Sequence, residues 1–207
     1  MLSPLQRTVL ITIARLDAAA TFALAGGAAL IVHGIIARAT KDLDLFTEES
    51  ARVDELHEAL VVELHAAGMD VRSITATPTF VRLEVRDPAT EETIEIDLGV
   101  DVRTTSPITT DVGPVLSLEE LAADKLLALY GRAELRDFLD VAALLDHFSR
   151  TTLTRLAREK DAGFHGPRFA EALAALHRFS DADFSAAGTS RKDLATVFDD
   201  WRSSLED

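Results

Sequence analysis

No cysteine occurs in the 207 residues of this chain, which excludes a disulfide framework and a thiolate metal site. Positive charge is scarce: 21 lysines and arginines stand against 35 aspartates and glutamates, a net charge of −14. A chain this acidic has no bulk attraction for a polyanion, so any nucleic-acid substrate must be met by a local basic patch. Part of the negative excess is equally suited to a basic partner protein. No apolar run reaches membrane-spanning length. Met1-Leu2-Ser3-Pro4 lacks the basic segment, apolar core and cleavage site of a leader, so the expectation is a cytoplasmic protein with no membrane partner. His147, His165 and His177 show no ligand spacing, which argues against zinc.

What is present is ordinary for a globular chain, with 47% hydrophobic and 27% charged residues. The length can bury a sizeable core as one domain with a helical extension. The organising stretch runs from Ala25 to Phe46. Phe22 to Ala25 reads as a strand end, Gly26-Gly27 as a tight turn, and Ala28 to Ile35 as a short apolar helix. From Lys41 to Thr47 the pattern alternates polar and apolar, the period of a half-buried strand. Residues two apart on a strand share a face, so Asp42 and Asp44 project together while Leu43 and Leu45 enter the core. Two carboxylates held side by side repel each other and require a compensating cation. Mg2+ suits them, being a hard ion that takes carboxylate oxygens and keeps positions for phosphate and water. The glycine turn adds a backbone clear of side chains, opening a helix whose N–H groups attract phosphate.

Gly-Gly-x-Ala-Leu followed by Arg-x-Thr-Lys-Asp-Leu-Asp-Leu resembles the signature of the polymerase-beta-like nucleotidyltransferase superfamily. More narrowly it resembles the AbiEii/AbiGii-type nucleotidyltransferase toxins of prokaryotic toxin–antitoxin systems, including their mycobacterial MenT relatives. The resemblance implies an α+β fold: a nucleotidyltransferase core over 1–116 with a mixed sheet flanked by helices, then a helical C-terminal region over 117–207. It implies Mg2+ as cofactor, a nucleoside triphosphate as donor, the 3′ end of tRNA as acceptor, a block of translation, and a cognate antitoxin protein as partner. It also assigns residues. Gly26, Gly27, Thr40 and Lys41 fall to the nucleotide, and Asp42 and Asp44 to the metal. Such enzymes complete the metal site with a carboxylate from a later strand.

Periodicity supplies that strand. Met69 to Thr75, Thr79 to Val85 and Thr93 to Val100 read as strands, the last two joined by Asp87-Pro88-Ala89-Thr90. In the last, Ile94, Ile96 and Leu98 face one way while Glu95 and Asp97 face the other. Asp97 occupies the place of the third carboxylate, with Glu95 its competitor. Arg82 and Arg86, on the polar face of the preceding strand, contact phosphate or pair with neighbouring acids. Thr40, two before Asp42, contacts the nucleotide or carries a regulatory modification, since a phosphate there would repel a metal-bound nucleotide.

Helices account for the rest. Apolar spacing gives one from Leu2 to Ala20 and another from Glu48 to its stop at Gly68. Ser117 and Glu120 form a capping box opening a helix to Gly131. In that helix Lys125, a point-charge cation, resembles the toxins' phosphate-binding lysine. Arg136-Asp137-Phe138-Leu139-Asp140 resembles their following acidic helix, with Asp140 the first choice and Asp137 the second to orient the lysine or bind the nucleotide. Arg136 stands where the family usually has lysine. Thr151 to Lys160, Pro167 to His177 and Ser190 to Leu205 read as further helices. Their Arg150, Arg155, Arg158, Lys160, Arg168 and Arg178 form the most basic part of the chain and the candidate acceptor face. A rival reading keeps the same metal site but transfers the nucleotide to a protein hydroxyl or a small molecule. A third treats the chain as a non-catalytic binding domain.

Overall fold

The computed structural model describes residues 1–206, in two compact units divided after Leu118. The first unit is built on a mixed seven-stranded sheet. Its strands are β1 (Ala23–Ala25), β2 (Asp42–Thr47), β3 (Asp70–Thr77), β4 (Phe80–Arg86), β5 (Thr93–Val100), β6 (Ile108–Thr110) and β7 (Gly113–Val115), in spatial order β3-β4-β5-β2-β1-β7-β6. Strands β2 and β5 run parallel, as do β1 and β7, and the remaining neighbours are antiparallel.

The alternation in β2, β4 and β5 makes two unlike faces. Leu43 and Leu45 are in register with Ile96 and Leu98, and Leu83 and Val81 lie beyond them on β4. All six are essentially inaccessible to solvent. Helix α3 (Ala51–Ala66) carries Val53, Leu56, Leu60 and Leu64, all fully buried, and packs against β3, β4 and β5. An amphipathic helix on an alternating sheet removes apolar surface on both sides, the main stabilising term of such a layer. The opposite face of these strands carries Asp42, Asp44, Arg82, Glu95 and Asp97 in register.

Helix α1 spans Pro4–Ile13, shorter than the apolar spacing from Leu2 to Ala20 suggests. Ser3 and Gln6 close a capping box at its start, and Leu16 turns extended before a single 3₁₀ turn at Asp17–Ala19. Helix α2 spans Gly26–Val32, beginning at the glycine pair and ending three residues before the expected Ile35. It stops where His33 and Gly34 turn away, Gly34 at φ +75°.

The second unit is helical: α4 (Leu118–Gly131), α5 (Leu135–Leu144), α6 (Arg150–Lys160), α7 (Gly166–Ala174), α8 (Asp181–Ala186) and α9 (Arg191–Glu206). Its core is aromatic. Phe138 meets Phe198 edge-on with centroids 5.1 Å apart, and Phe169 meets Trp201 at 5.2 Å. Helix α8 lies in the Ser180 to Gly188 stretch that reads as a connection. A capping box between Ser180 and Asp183 and the buried Phe184 are enough to wind one short helix there.

Candidate active site

The site begins at the turn from β1 into α2. Gly26 has φ +63°, and a Cβ on it would lie 1.8 Å from the Asp44 Oδ2. Only glycine fits, because the backbone is left-handed and the space is taken by a carboxylate. Ala25 pairs with Asp44 across β1 and β2, which sets the carboxylate against the turn. At Gly27 the clearances are ordinary: a Cβ would lie 3.5 Å from the Thr40 Oγ1 and 3.9 Å from the Arg38 Nη2. The hydroxyl of Thr40 and the guanidinium of Arg38 therefore stand beside the glycine turn.

The segment leading into β2 is tied from both sides. The Gln6 side chain, 2% exposed, donates from Nε2 to the Thr40 carbonyl at 2.8 Å. The backbone N–H of Glu95 donates to the Lys41 carbonyl at 3.1 Å, extending the β2–β5 ladder by one residue. Lys41 itself is exposed.

Within the sheet, Asp42 is opposite Glu95 and Asp44 opposite Asp97. Neighbouring residues in register share a face, so the Asp97 side chain projects to the same side as those of Asp42 and Asp44. On the other flank Asp97 is opposite Arg82. The Arg82 Nε donates to one Asp97 oxygen at 2.7 Å and its Nη2 to the other at 2.6 Å, while Glu95 lies 3.8 Å away. The hydrogen bonds and charge of Asp97, then the charges of Glu95 and Asp42, hold the guanidinium still further from losing its proton. Of the two arginines on this strand, Arg86 instead pairs with Asp70 and Glu91, and Glu84 is taken by Arg72. Among the described residues no three acidic or imidazole side chains are gathered into a ready metal cage.

In the helical unit Lys125 and Asp140 form an ion pair, Nζ to Oδ2 at 2.8 Å, with side chains 11% and 1% exposed. Asp137 has other work. Arg132 grips both its oxygens at 3.0 and 2.8 Å, and the backbone N–H of Glu134 donates to it at 3.0 Å. It thereby closes the turn between α4 and α5, where Ala133 sits at φ 51° and Arg178 donates to the carbonyls of Arg132 and Ala133. Arg136 is half exposed and pairs with Glu134 at 2.9 Å.

The basic residues of this unit are largely engaged within it. Arg150 pairs with Asp200 at 2.7 Å, Arg155 with Glu159 at 2.6 Å, and Lys160 is buried against Glu120 and Asp124. Arg168 lies over the ring of Tyr130, 5.1 Å from its centroid.

Residues that pattern reasoning passed over are Gln6 and Arg38. Arg38 is visible in the sequence as the arginine of Arg-x-Thr-Lys-Asp. Gln6 gives no local signal, because its partner lies more than thirty residues away.

Compared with known proteins, residues 8–207 match the family model described as Nucleotidyl transferase AbiEii toxin, Type IV TA system. The chain belongs to the AbiEii nucleotidyltransferase toxin family. An AbiEii toxin is one half of a toxin–antitoxin system, which implies an antitoxin as its partner. Among solved structures, JHP933 from Helicobacter pylori aligns with a TM-score of 0.64 at 16% identity, over 99% of this chain and 93% of that one. A putative nucleotidyltransferase from H. pylori aligns with a TM-score of 0.64 at 15% identity, over 97% and 93%. At such identities the likeness speaks for the α+β fold. No curated protein matches the sequence significantly. Among the described residues no helix is long and apolar enough to cross a membrane.

Proposed function

We propose that this AbiEii family member is a Mg2+-dependent enzyme that transfers nucleotides from a nucleoside triphosphate to the 3′ end of tRNA and so blocks translation. The observation that carries the chemistry is the register of Asp42, Asp44 and Asp97 on one sheet face, with Asp44 lodged against a glycine that admits no Cβ.

The residues fit the ion. Mg2+ is ordinarily held by one or two carboxylates together with substrate phosphates rather than by a closed protein cage, and Asp42 with Asp44 offer that donor set. When bound, it would neutralise triphosphate charge and activate the attacking hydroxyl. The chain's own groups do the rest. At the Gly26-Gly27 turn the Asp44 carboxylate lies against the backbone, and Thr40 and Arg38 stand beside it as the hydroxyl and the cation for phosphate. Lys41, exposed next to Asp42, adds a further cation for the nucleotide. Within the helical unit, Asp140 holds the Lys125 ammonium in a fixed orientation, and Asp137 maintains the turn that sets α5.

A second reading is favoured by the net charge of −14 and by the internal pairing of Arg150, Arg155 and Lys160. In it the acceptor is a protein hydroxyl or a small molecule. One experiment tests both. Purified protein is incubated with each α-labelled nucleoside triphosphate and Mg2+, with total tRNA or with a cell lysate freed of RNA. Label on tRNA, lost in Asp42→Asn and Asp44→Asn, is the expected result. Label on protein or metabolite alone replaces the acceptor, and no transfer under any condition overturns the enzymatic assignment.

A further inference from the structure

The acidic sheet face already contains a cation. Arg82 donates to both carboxylate oxygens of Asp97, so a metal that takes Asp97 on that side must displace the guanidinium. The two partners are unequally free to move. Asp97 has a short side chain, 12% exposed, on a strand paired on both sides. Arg82 is 41% exposed on a long stem, its head 5.8 Å above the centroid of the Phe80 ring. An exchange at this position would therefore displace the arginine and leave the aspartate and the backbone where they are.

The charges favour such an exchange. Without a metal, Asp42, Asp44, Glu95 and Asp97 share one face, and Arg82 stands opposite Asp97 in the row that continues to Asp44. A like-charged cluster needs this neutralisation. A divalent cation supplies it more fully, and then a guanidinium beside the metal is repelled by it.

We propose that Arg82 is a positioning residue of the site, holding Asp97 in place as an internal counter-cation and yielding it when the divalent metal binds. The proposal rests on the metal-dependent reading above and goes beyond it in one respect: the protein's affinity for metal is set by competition with its own arginine.

The test is titration of the full-length protein with Mn2+, followed by electron paramagnetic resonance of the free ion, on wild type, Arg82→Gln, Arg82→Lys and Asp44→Asn. Melting curves with and without Mg2+ accompany it. Removing the competitor should tighten Mn2+ binding up to about fivefold in Arg82→Gln, the equivalent of about 1 kcal/mol. Arg82→Lys, which keeps the charge but loses the two-pronged grip, should fall between. Mg2+ should raise the melting temperature of Arg82→Gln more than that of wild type, and Asp44→Asn should lose the site. Unchanged or weaker Mn2+ binding in Arg82→Gln, with Asp44→Asn still abolishing it, overturns the exchange and leaves the metal site standing. That outcome would make Arg82 a merely structural support of Asp97. Absence of Mn2+ binding in wild type and every variant overturns the exchange together with the metal-dependent reading.

Discussion

Each of the two units holds an aspartate in an ion pair, and the pairs are built differently. In the sheet, Asp97 is gripped by an arginine that stands 41% exposed. In the helical unit, Asp140 and Lys125 lie 1% and 11% exposed. A pair open to water on one side gains little net energy and can exchange partners, because solvent takes up whichever charge is released. A pair closed off from water cannot, since either partner left alone would be a buried charge. The two pairs therefore differ in what they permit: Asp97 can change partner, whereas Lys125 and Asp140 hold each other in place.

The largest effect should come from splitting the closed pair. Lys125→Met removes the cation 2.8 Å from the buried Asp140 carboxylate, which should destabilise the protein by about 3–5 kcal/mol in urea unfolding. Lys125→Met combined with Asp140→Leu should recover part of that loss, because both charges of the pair are then removed. If the single variant unfolds like wild type, the pair is not closed in solution and the contrast collapses.

Next comes Gly26→Ala. The left-handed backbone and the encroachment on Asp44 should together cost about 1–3 kcal/mol and abolish nucleotidyl transfer. Gly27→Ala, whose Cβ meets only ordinary contacts, should stay close to wild type in stability. Equal behaviour of the two variants in thermal melts and transfer assays would remove Gly26 from the site.

A double-mutant cycle on Arg82→Gln and Asp97→Asn sharpens the comparison further. After allowance for solvent screening, the coupling in the absence of metal should be below about 1 kcal/mol, well short of the Lys125–Asp140 value. A coupling as large as that of the buried pair would mean that Arg82 cannot yield.

The smallest expected effect concerns acid. The Ser180 hydroxyl, followed by its backbone N–H, holds the fully exposed Asp183 carboxyl below the ordinary range. The folded group binds its proton less readily than the unfolded one, so its contribution is complete above about pH 4 and is lost as pH falls through the lowered value. Asp183→Asn should flatten this part of the melting-temperature profile. An unaltered profile would show that the cap of α8 carries no pH dependence.

Much of this arrangement is legible locally. The alternation of Asp42-Leu43-Asp44-Leu45 places both carboxylates on one face whatever the fold, and the capping box at Ser3 and Gln6 starts α1 by its own chemistry. Short-range signals failed where they were outweighed. The apolar spacing to Ala20 did not sustain a helix past Ile13, and the polar Ser180 stretch formed one through its cap and Phe184. Strands β6 and β7, three residues each, carry too little alternation to be read at all. Asp137 and Asp140 share a helical face and look alike in sequence, yet Arg132 claims one and Lys125 the other.

The sequence by itself determined that Asp42 and Asp44 share one strand face and that a glycine turn precedes them, since both follow from the backbone geometry of adjacent residues. Only the tertiary structure decided that β5 lies beside β2, that Asp97 falls opposite Asp44, and that Arg82 takes Asp97 rather than Glu84. Backbone hydrogen bonds between strands are the same for every residue. Register and ion partners are therefore chosen by the packing of the whole sheet, which no short stretch of chain contains.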